Sequence, residues 1–303
     1  ASLAYNRFIN KHNINVSAGM NVMENQTKSL TANYRGFPSG SLHSPNYAQE
    51  MVNKPTQSEE HSRLVGLIGL VNYSYDNIYL FDTSVRMDGS SKFGSDKKFA
   101  PFWSFGAGLN IHNYKYFKEL GVFDLLKLRA SYGQVGKVNF ASYDAKTTYR
   151  ILSDQWYKTG YGAVLYALGN KGLTWETTNT LDVGLEVSLL KNLLYLKGSY
   201  YVKRTVDCIN SVTIPSHSGF ITYMDNIGEI ENKGFELDVR ANVVRTQDWN
   251  LNLFANLSHN KNRLVKIAES LKAYNDKVDD YLNDPKQSAS STGSKSYKKY
   301  SEG

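Results

Sequence analysis

The chain has 303 residues, 41% of them hydrophobic, yet no run of about 18 apolar residues and therefore no membrane-spanning helix. Its formal charge of +7 is scattered without a dense basic cluster, which argues against nucleic acid; its single cysteine, Cys208, excludes a disulfide framework and a thiolate metal site. The aromatic share of 13%, with 22 Tyr and 4 Trp, suits a membrane β-barrel with aromatic rims, although a large soluble β-sandwich or propeller shares that composition.

In chain order, residues 1–8 and 13–24 read as a strand pair turned at Asn10-Lys11-His12. Residues 26–60, polar and broken by Gly36, Pro38, Gly40, Pro45 and Pro55, read as a long loop. Val65, Leu67, Val71, Tyr73 and Tyr75 mark one apolar face. A three-residue turn at Asp76-Asn77-Ile78 carries that face on through Tyr79, Phe81, Val85 and Met87, leaving Asp82, Ser84, Arg86 and Asp88 on the polar side. A Gly/Ser loop follows at 89–97, then an apolar face from Phe99 through Trp103, Phe105 and Leu109 to Ile111; Pro101 is tolerable near a strand start. Residues 113–124 form a connector with one helical turn around Tyr116 and Phe117. Leu126, Leu128, Ala130 and Tyr132 then alternate with Lys127, Arg129, Ser131 and Gly133. A second long loop, 135–172, holds Trp156, Tyr157, Tyr161 and Tyr166.

The strongest pattern spans 181–203. Leu181, Val183, Leu185, Val187 and Leu189 alternate with polar residues, and so do Leu194, Leu196, Tyr200 and Val202. With Lys191-Asn192 as a two-residue turn, Leu190 faces Leu193, Leu189 faces Leu194, Val187 faces Leu196 and Leu181 faces Val202. Glu186 then falls opposite Lys197, and a one-residue slip would mix the two faces. Soluble strands run about five or six residues, whereas a tilted strand crossing a bilayer needs about 9–11. The length marks a membrane-barrel hairpin.

A third long loop occupies 210–226. Phe235, Leu237, Val239, Ala241 and Val243 make the next apolar face, and a turn at Thr246-Gln247-Asp248 sets Val243 against Leu251, Ala241 against Leu253 and Arg245 against Trp249. Leu264, Ile267, Leu271, Tyr274, Val278 and Tyr281 recur at three- and four-residue spacing, predicting an amphipathic helix near 264–282, followed by a Ser/Lys/Gly-rich stretch from Asp284. Short connections thus alternate with long ones, the asymmetry of an outer-membrane barrel. The expected fold is all-β: a transmembrane antiparallel barrel segment over 1–263, with a loop-side helix and tail over 264–303.

Four stretches then resemble a known family, the SusC/RagA-like TonB-dependent outer-membrane transporters of Bacteroidetes. They are Ser84-Val85-Arg86-Met87-Asp88-Gly89-Ser90-Ser91-Lys92-Phe93-Gly94, the run 126–136 from Leu126 to Gly136, Trp175-Glu176-Thr177-Thr178-Asn179 ahead of Asp182-Val183-Gly184, and the run 226–236 from Asn226 through Gly228, Asn232 and Gly234 to Glu236. The resemblance implies about ten strands of a 22-stranded, plugged barrel importing oligosaccharides or peptides. It also implies two partners: a SusD-like surface lipoprotein as cap, and TonB–ExbB–ExbD acting through a plug domain that this chain lacks. Ala1-Ser2-Leu3-Ala4-Tyr5 is not a secretory signal, so the expectation is a fragment of a longer precursor.

No catalytic constellation stands out. His12, His43, His61, His112, His217 and His259 are dispersed and read as loop and rim residues rather than metal ligands. Asp276, Asp279, Asp280 and Asp284 lack the spacing of a calcium loop; no cofactor is expected, a calcium ion in an extracellular loop being the alternative. Aromatic and polar loop residues suit sugar rings or peptide side chains, so the candidate substrate-binding residues are Tyr34, Arg35, Phe37, Trp156, Tyr157 and Tyr161. A passive porin or structural barrel is the alternative to an importer; an outer-membrane enzyme or soluble glycan-binding module is the third reading.

Overall fold

A computed structural model describes residues 1–94, 97–214, 218–267 and 269–283. Its strands are, in order, β1 (Ser2–Ile9), β2 (His12–Thr31), β3 (Tyr34–Arg35), β4 (Glu50–Met51), β5 (Thr56–Tyr75), β6 (Tyr79–Ser90), β7 (Phe99–Asn110) and β8 (Phe123–Lys137). There follow β9 (Thr148–Tyr157), β10 (Gly160–Ala167), β11 (Glu176–Leu189), β12 (Leu194–Val206), β13 (Ile209–Thr213), β14 (Thr222–Asn226), β15 (Gly228–Arg245) and β16 (Asn250–Ile267). Among the described residues there are also two α-helices, α1 (Lys115–Leu120) and α2 (Glu269–Asn283). Ten strands form one antiparallel meander in the order β1-β2-β5-β6-β7-β8-β11-β12-β15-β16.

Alternation decides which side of this sheet is which. Leu67, Val85, Phe105, Leu128, Leu185, Leu237 and Leu253 lie on one face and all are exposed, as a lipid-facing surface requires. The opposite face carries Asp82, Arg129, Glu186, Lys197 and Asp238, and is the lumen side. The β11–β12 register matches the expectation: Leu189 pairs with Leu194, Val187 with Leu196, Leu181 with Val202, and Glu186 with Lys197. At its turn, Lys191 and Asn192 both have φ 61°, the left-handed conformation that matches the twist of a two-residue hairpin. Leu193 N–H donates to Leu190 O (3.3 Å) across it. The three-residue turn 76–78 also forms, with Asp76 and Asn77 at φ 53° and 54°.

On the lipid face charges begin where the apolar residues stop. Beyond Val22 and Val65 stand Glu24 and Arg63 (3.1 Å), and beyond Val202 stand Arg204 and Glu229 (2.5 Å). These pairs add little stability in water, but at hydrocarbon depth they would be costly, so they mark the upper edge of the apolar belt. At the other end Tyr73, Tyr75, Tyr79 and Tyr114 gather near His12, with Tyr114 Oη donating to Tyr79 Oη (3.0 Å). This is an aromatic girdle at the short-turn rim.

Several expected boundaries need correction. The first turn is only Asn10-Lys11, since Ile9 pairs with His12. Residues 26–31 and 56–60 are not loop: β2 and β5 stay paired from His12–Tyr75 to Thr31–Thr56, projecting a long polar hairpin past the belt. The second long loop contains the β9–β10 hairpin and the third contains β13–β14. At the β15–β16 turn Val243 is an extra residue; Val244 pairs with Leu251 and Arg245 with Asn250, while Ala241 does face Leu253. Finally, Leu264 and Ile267 belong to β16 rather than to the helix, which begins at Glu269; residues from 284 on lie outside the described ones. Pro101 fits because β8 pairs with β7 only from Ser104 onward, leaving a one-sided ladder at the proline.

Candidate substrate-facing site

Four features on the lumen and loop side bear on function. The first is a core that ties the loops together. Phe93 and Leu173 are fully buried, and Phe102, Phe140, Ala145, Trp175 and Ile209 pack with them. Phe93 stacks on Trp175 at 4.7 Å between ring centres and meets Phe140 edge-on at 5.0 Å. These residues come from β7 and from three separate loop segments, so the rim is a packed structure rather than free chain. Asn226 fastens it further: its Oδ1 accepts from Thr174 N–H (3.0 Å), and its Nδ2 donates to Asp207 O (2.8 Å) and Thr174 O (3.1 Å).

The second feature is a charged band on the lumen wall. Register places Lys127, Glu186, Lys197 and Asp238 side by side across β8, β11, β12 and β15, with alternating sign. Arg129 reaches Asp182 (2.5 Å) and Glu186 (3.5 Å) from the neighbouring row. Gly184 makes that reach possible, because a Cβ there would lie 2.8 Å from Arg129 Nε.

The third feature is the set of aromatic candidates. Trp156 and Tyr161 pair across β9–β10 and meet edge-on at 4.8 Å, with Tyr157 beside them; all three are exposed, Trp156 by 70%. Residues 153–155 bulge out of β9 just before them, because Leu152 pairs with Gly162 while Trp156 pairs with Tyr161. Tyr34 and Arg35 lie on β3, Arg35 forming an ion pair with Glu50 of β4, and Phe37 follows with 36% exposure. The structure thus brings Trp156 and Tyr161 together, with Tyr157 next to them, whereas Tyr34, Arg35 and Phe37 are neighbours along one short segment. Among the described residues no ring contact or hydrogen bond joins the two.

The fourth feature was missed from sequence. Glu176, Thr205, Asn232 and Asn262 line a recess of about 440 Å³ on the lumen face, to which Asn139 and Asn210 contribute from the loop segments. Glu176 is 9% exposed, and its Oε2 accepts from Ile209 N–H (3.3 Å). Asn262 Nδ2 donates to Asn232 Oδ1 (2.9 Å). Strand polarity alone places Asn232 and Asn262 on this face; Asn210 is brought to them by the folded hairpin β13–β14 and Asn139 by the segment that follows β8. Cys208 also borders the recess, and burial, with the Glu176 carboxylate second, pushes its thiol up to about 11. Among the described residues no three His, Cys, Asp or Glu side chains gather as a metal site; His217 and Asp284 lie outside them.

The chain matches the family model described as TonB dependent receptor-like, beta-barrel, over residues 3–302. It is 32% identical to TonB-dependent receptor P3 of Formosa agariphila over 272 residues, 88% of this chain and 27% of that protein. To TonB-dependent receptor SusC of Bacteroides thetaiotaomicron it is 31% identical over 231 residues, 73% of this chain and 23% of that one. It therefore spans about a quarter of the length of these relatives. Among solved structures, the RagAB peptide transporter superposes with a TM-score of 0.79 at 26% identity, over 89% of this chain and 30% of that chain. The outer membrane transporter YddB from Escherichia coli shares the fold alone, with a TM-score of 0.58 at 13% identity.

Proposed function

The chain belongs to the TonB-dependent receptor-like β-barrel family and is an outer-membrane barrel chain; from that premise we propose that it is wall and outer loops of a TonB-dependent nutrient importer. The cargo is an oligosaccharide or a peptide, a SusD-like lipoprotein caps the outer mouth, and TonB–ExbB–ExbD supplies energy through a plug outside this sequence. The ten strands form one part of a larger closed barrel, and the importer has no catalytic step and no cofactor. The observation that carries this reading is the likeness to the RagAB transporter, which covers loops as well as wall.

Trp156, Tyr157 and Tyr161, with Tyr34, Arg35 and Phe37, are the loop residues assigned to first contact with cargo. Uptake of fluorescent oligosaccharides and peptides by cells expressing the full-length protein tests the reading. Uptake should stop when the proton gradient is collapsed or TonB is removed. Replacing Trp156 and Tyr161 together by Ala should weaken apparent affinity about tenfold, or about 1.4 kcal/mol, without altering barrel stability. Uptake that continues without energy would make the protein a passive porin and end the importer reading.

A further inference from the structure

The outer face of β15 and β16 carries charges that are dispersed in sequence and brought side by side by register. Going toward the loop end from Leu237 and Leu257, the next outward pair is Phe235 and His259, whose rings meet at 5.9 Å. Beyond them stand Lys233 and Lys261, then Glu231 and Arg263, then Glu229 and Lys266, with Arg204 of β12 beside Glu231. Strict alternation from Arg263 would turn Lys266 to the lumen. The extra residue Val265 returns it to the outer face.

Ion pairing does not balance this face. Glu231 serves Lys233 (2.9 Å) and Glu229 serves Arg204 (2.5 Å). Among the described residues Lys261, Arg263 and Lys266 form no salt bridge, and Asp207 is the one further carboxylate whose charge Lys266 feels. Lys233 and Lys261 also sit directly opposite each other, a like-charge pair that is unfavourable across two strands and that an anion would relieve. Near the other edge of the sheet the outer face is matched instead. There Glu24 meets Arg63 (3.1 Å) and His61, and Glu59 meets Lys28 (3.5 Å).

We propose that the outer face of β15 and β16 is a docking site for the phosphorylated glycolipid of the outer leaflet. Its phosphates lie on Lys233, Lys261 and Arg263, and its acyl chains lie on Phe235, Leu237 and Leu257. The proposal rests on the importer reading for its orientation, with the long loops outward.

Three properties select this occupant. The cations follow directly on the aliphatic belt, so the occupant is anionic at headgroup height and apolar below, which describes a lipid rather than a soluble anion. Lys261 and Arg263 are two residues apart along β16, roughly 7 Å by the rise of a strand, and Lys266 lies further out, so the cations occupy several heights. Phosphates carried on a sugar span those heights, whereas a single phosphodiester meets only one. Glu229 and Glu231, set among the cations, accept hydrogen bonds from sugar hydroxyls. Side chains stand perpendicular to the ladder, so a further strand beside β16 would leave this face outward.

The test is native mass spectrometry of the full-length protein in detergent, titrated with bisphosphorylated lipid A, with lipid A stripped of both phosphates, and with phosphatidylglycerol. Bisphosphorylated lipid A should bind about tenfold or more tightly than either of the others. Lys233→Gln/Lys261→Gln should weaken it about tenfold, Lys233→Arg/Lys261→Arg should keep it, and Lys28→Gln/Arg63→Gln should leave it unchanged. Heat-sensitive migration on gels checks that each variant is folded, and Lys261→Gln alone, which removes one of two facing like charges, serves where the double variant misfolds. The proposal is overturned if stripped lipid A or phosphatidylglycerol binds equally well, if inorganic phosphate displaces the lipid, or if the folded Gln variant binds like wild type. Failure of the importer reading looks different: lipid A binding would be intact while uptake proceeded without TonB.

Discussion

Single side chains set both the permissive and the protected points of this structure. Gly184 is where it is because the Arg129 guanidinium crosses its face to reach Asp182 and Glu186; any side chain there would displace the arginine from two carboxylates. Cys208 illustrates protection. Burial raises the Cys208 thiol from its ordinary value near 9.0 to about 11, with the Glu176 carboxylate adding to the effect. The thiolate is the reactive form, so raising the pKa lowers reactivity at any pH below it. At pH 8 the native full-length protein should react with iodoacetamide about 100-fold more slowly than the unfolded chain, and the native rate should climb about tenfold per pH unit toward pH 11. Equal native and unfolded rates at pH 8 would contradict a half-buried, neutral thiol.

At the scale of elements, the stretches that reveal the family turn out to be fasteners. Phe93, Trp175 and Asn226 come from three of the four family-like stretches, and all three hold the loop segments to the rim and to one another. Truncating a buried aromatic costs about 3–5 kcal/mol. Trp175→Ala should therefore make the loops readily cleaved by an added protease, while the strands keep their heat-sensitive migration on gels; loss of both together would contradict a separable loop core. The wall strands were legible because one face meets lipid and the other water, which imposes strict alternation and leaves one register for Leu181–Val202. The β9–β10 hairpin was not, because Tyr149, Ile151, Trp156 and Tyr157 are all exposed and no buried face imposes a period. The end of β16 was misread for a different reason. The bulge at Val265 puts Leu264 and Ile267 on one side at a spacing of three, which imitates a helix. The recess was hidden because Asn139 and Asn210 reach the wall residues Glu176, Asn232 and Asn262 only through folded loop segments.

For the molecule as a whole, two surfaces follow from one alternating pattern: an aliphatic belt outside and a compensated charge band inside. The band from Lys127 to Asp238 alternates in sign, so it stays hydrated without a strong net field. The belt ends at charged pairs on the loop side and at tyrosines on the turn side, which fixes how deep the wall sits in the bilayer. The direct measurement is fluorescence quenching by brominated lipid. In a Cys208→Ser background of the full-length protein, a fluorophore is attached in turn at Leu185→Cys, Leu237→Cys, Leu253→Cys, Glu186→Cys and Asp238→Cys. Strong quenching at the three leucine positions and weak quenching at Glu186 and Asp238 is the predicted result; the reverse pattern, or no difference between the two sets, would contradict a lipid-facing wall.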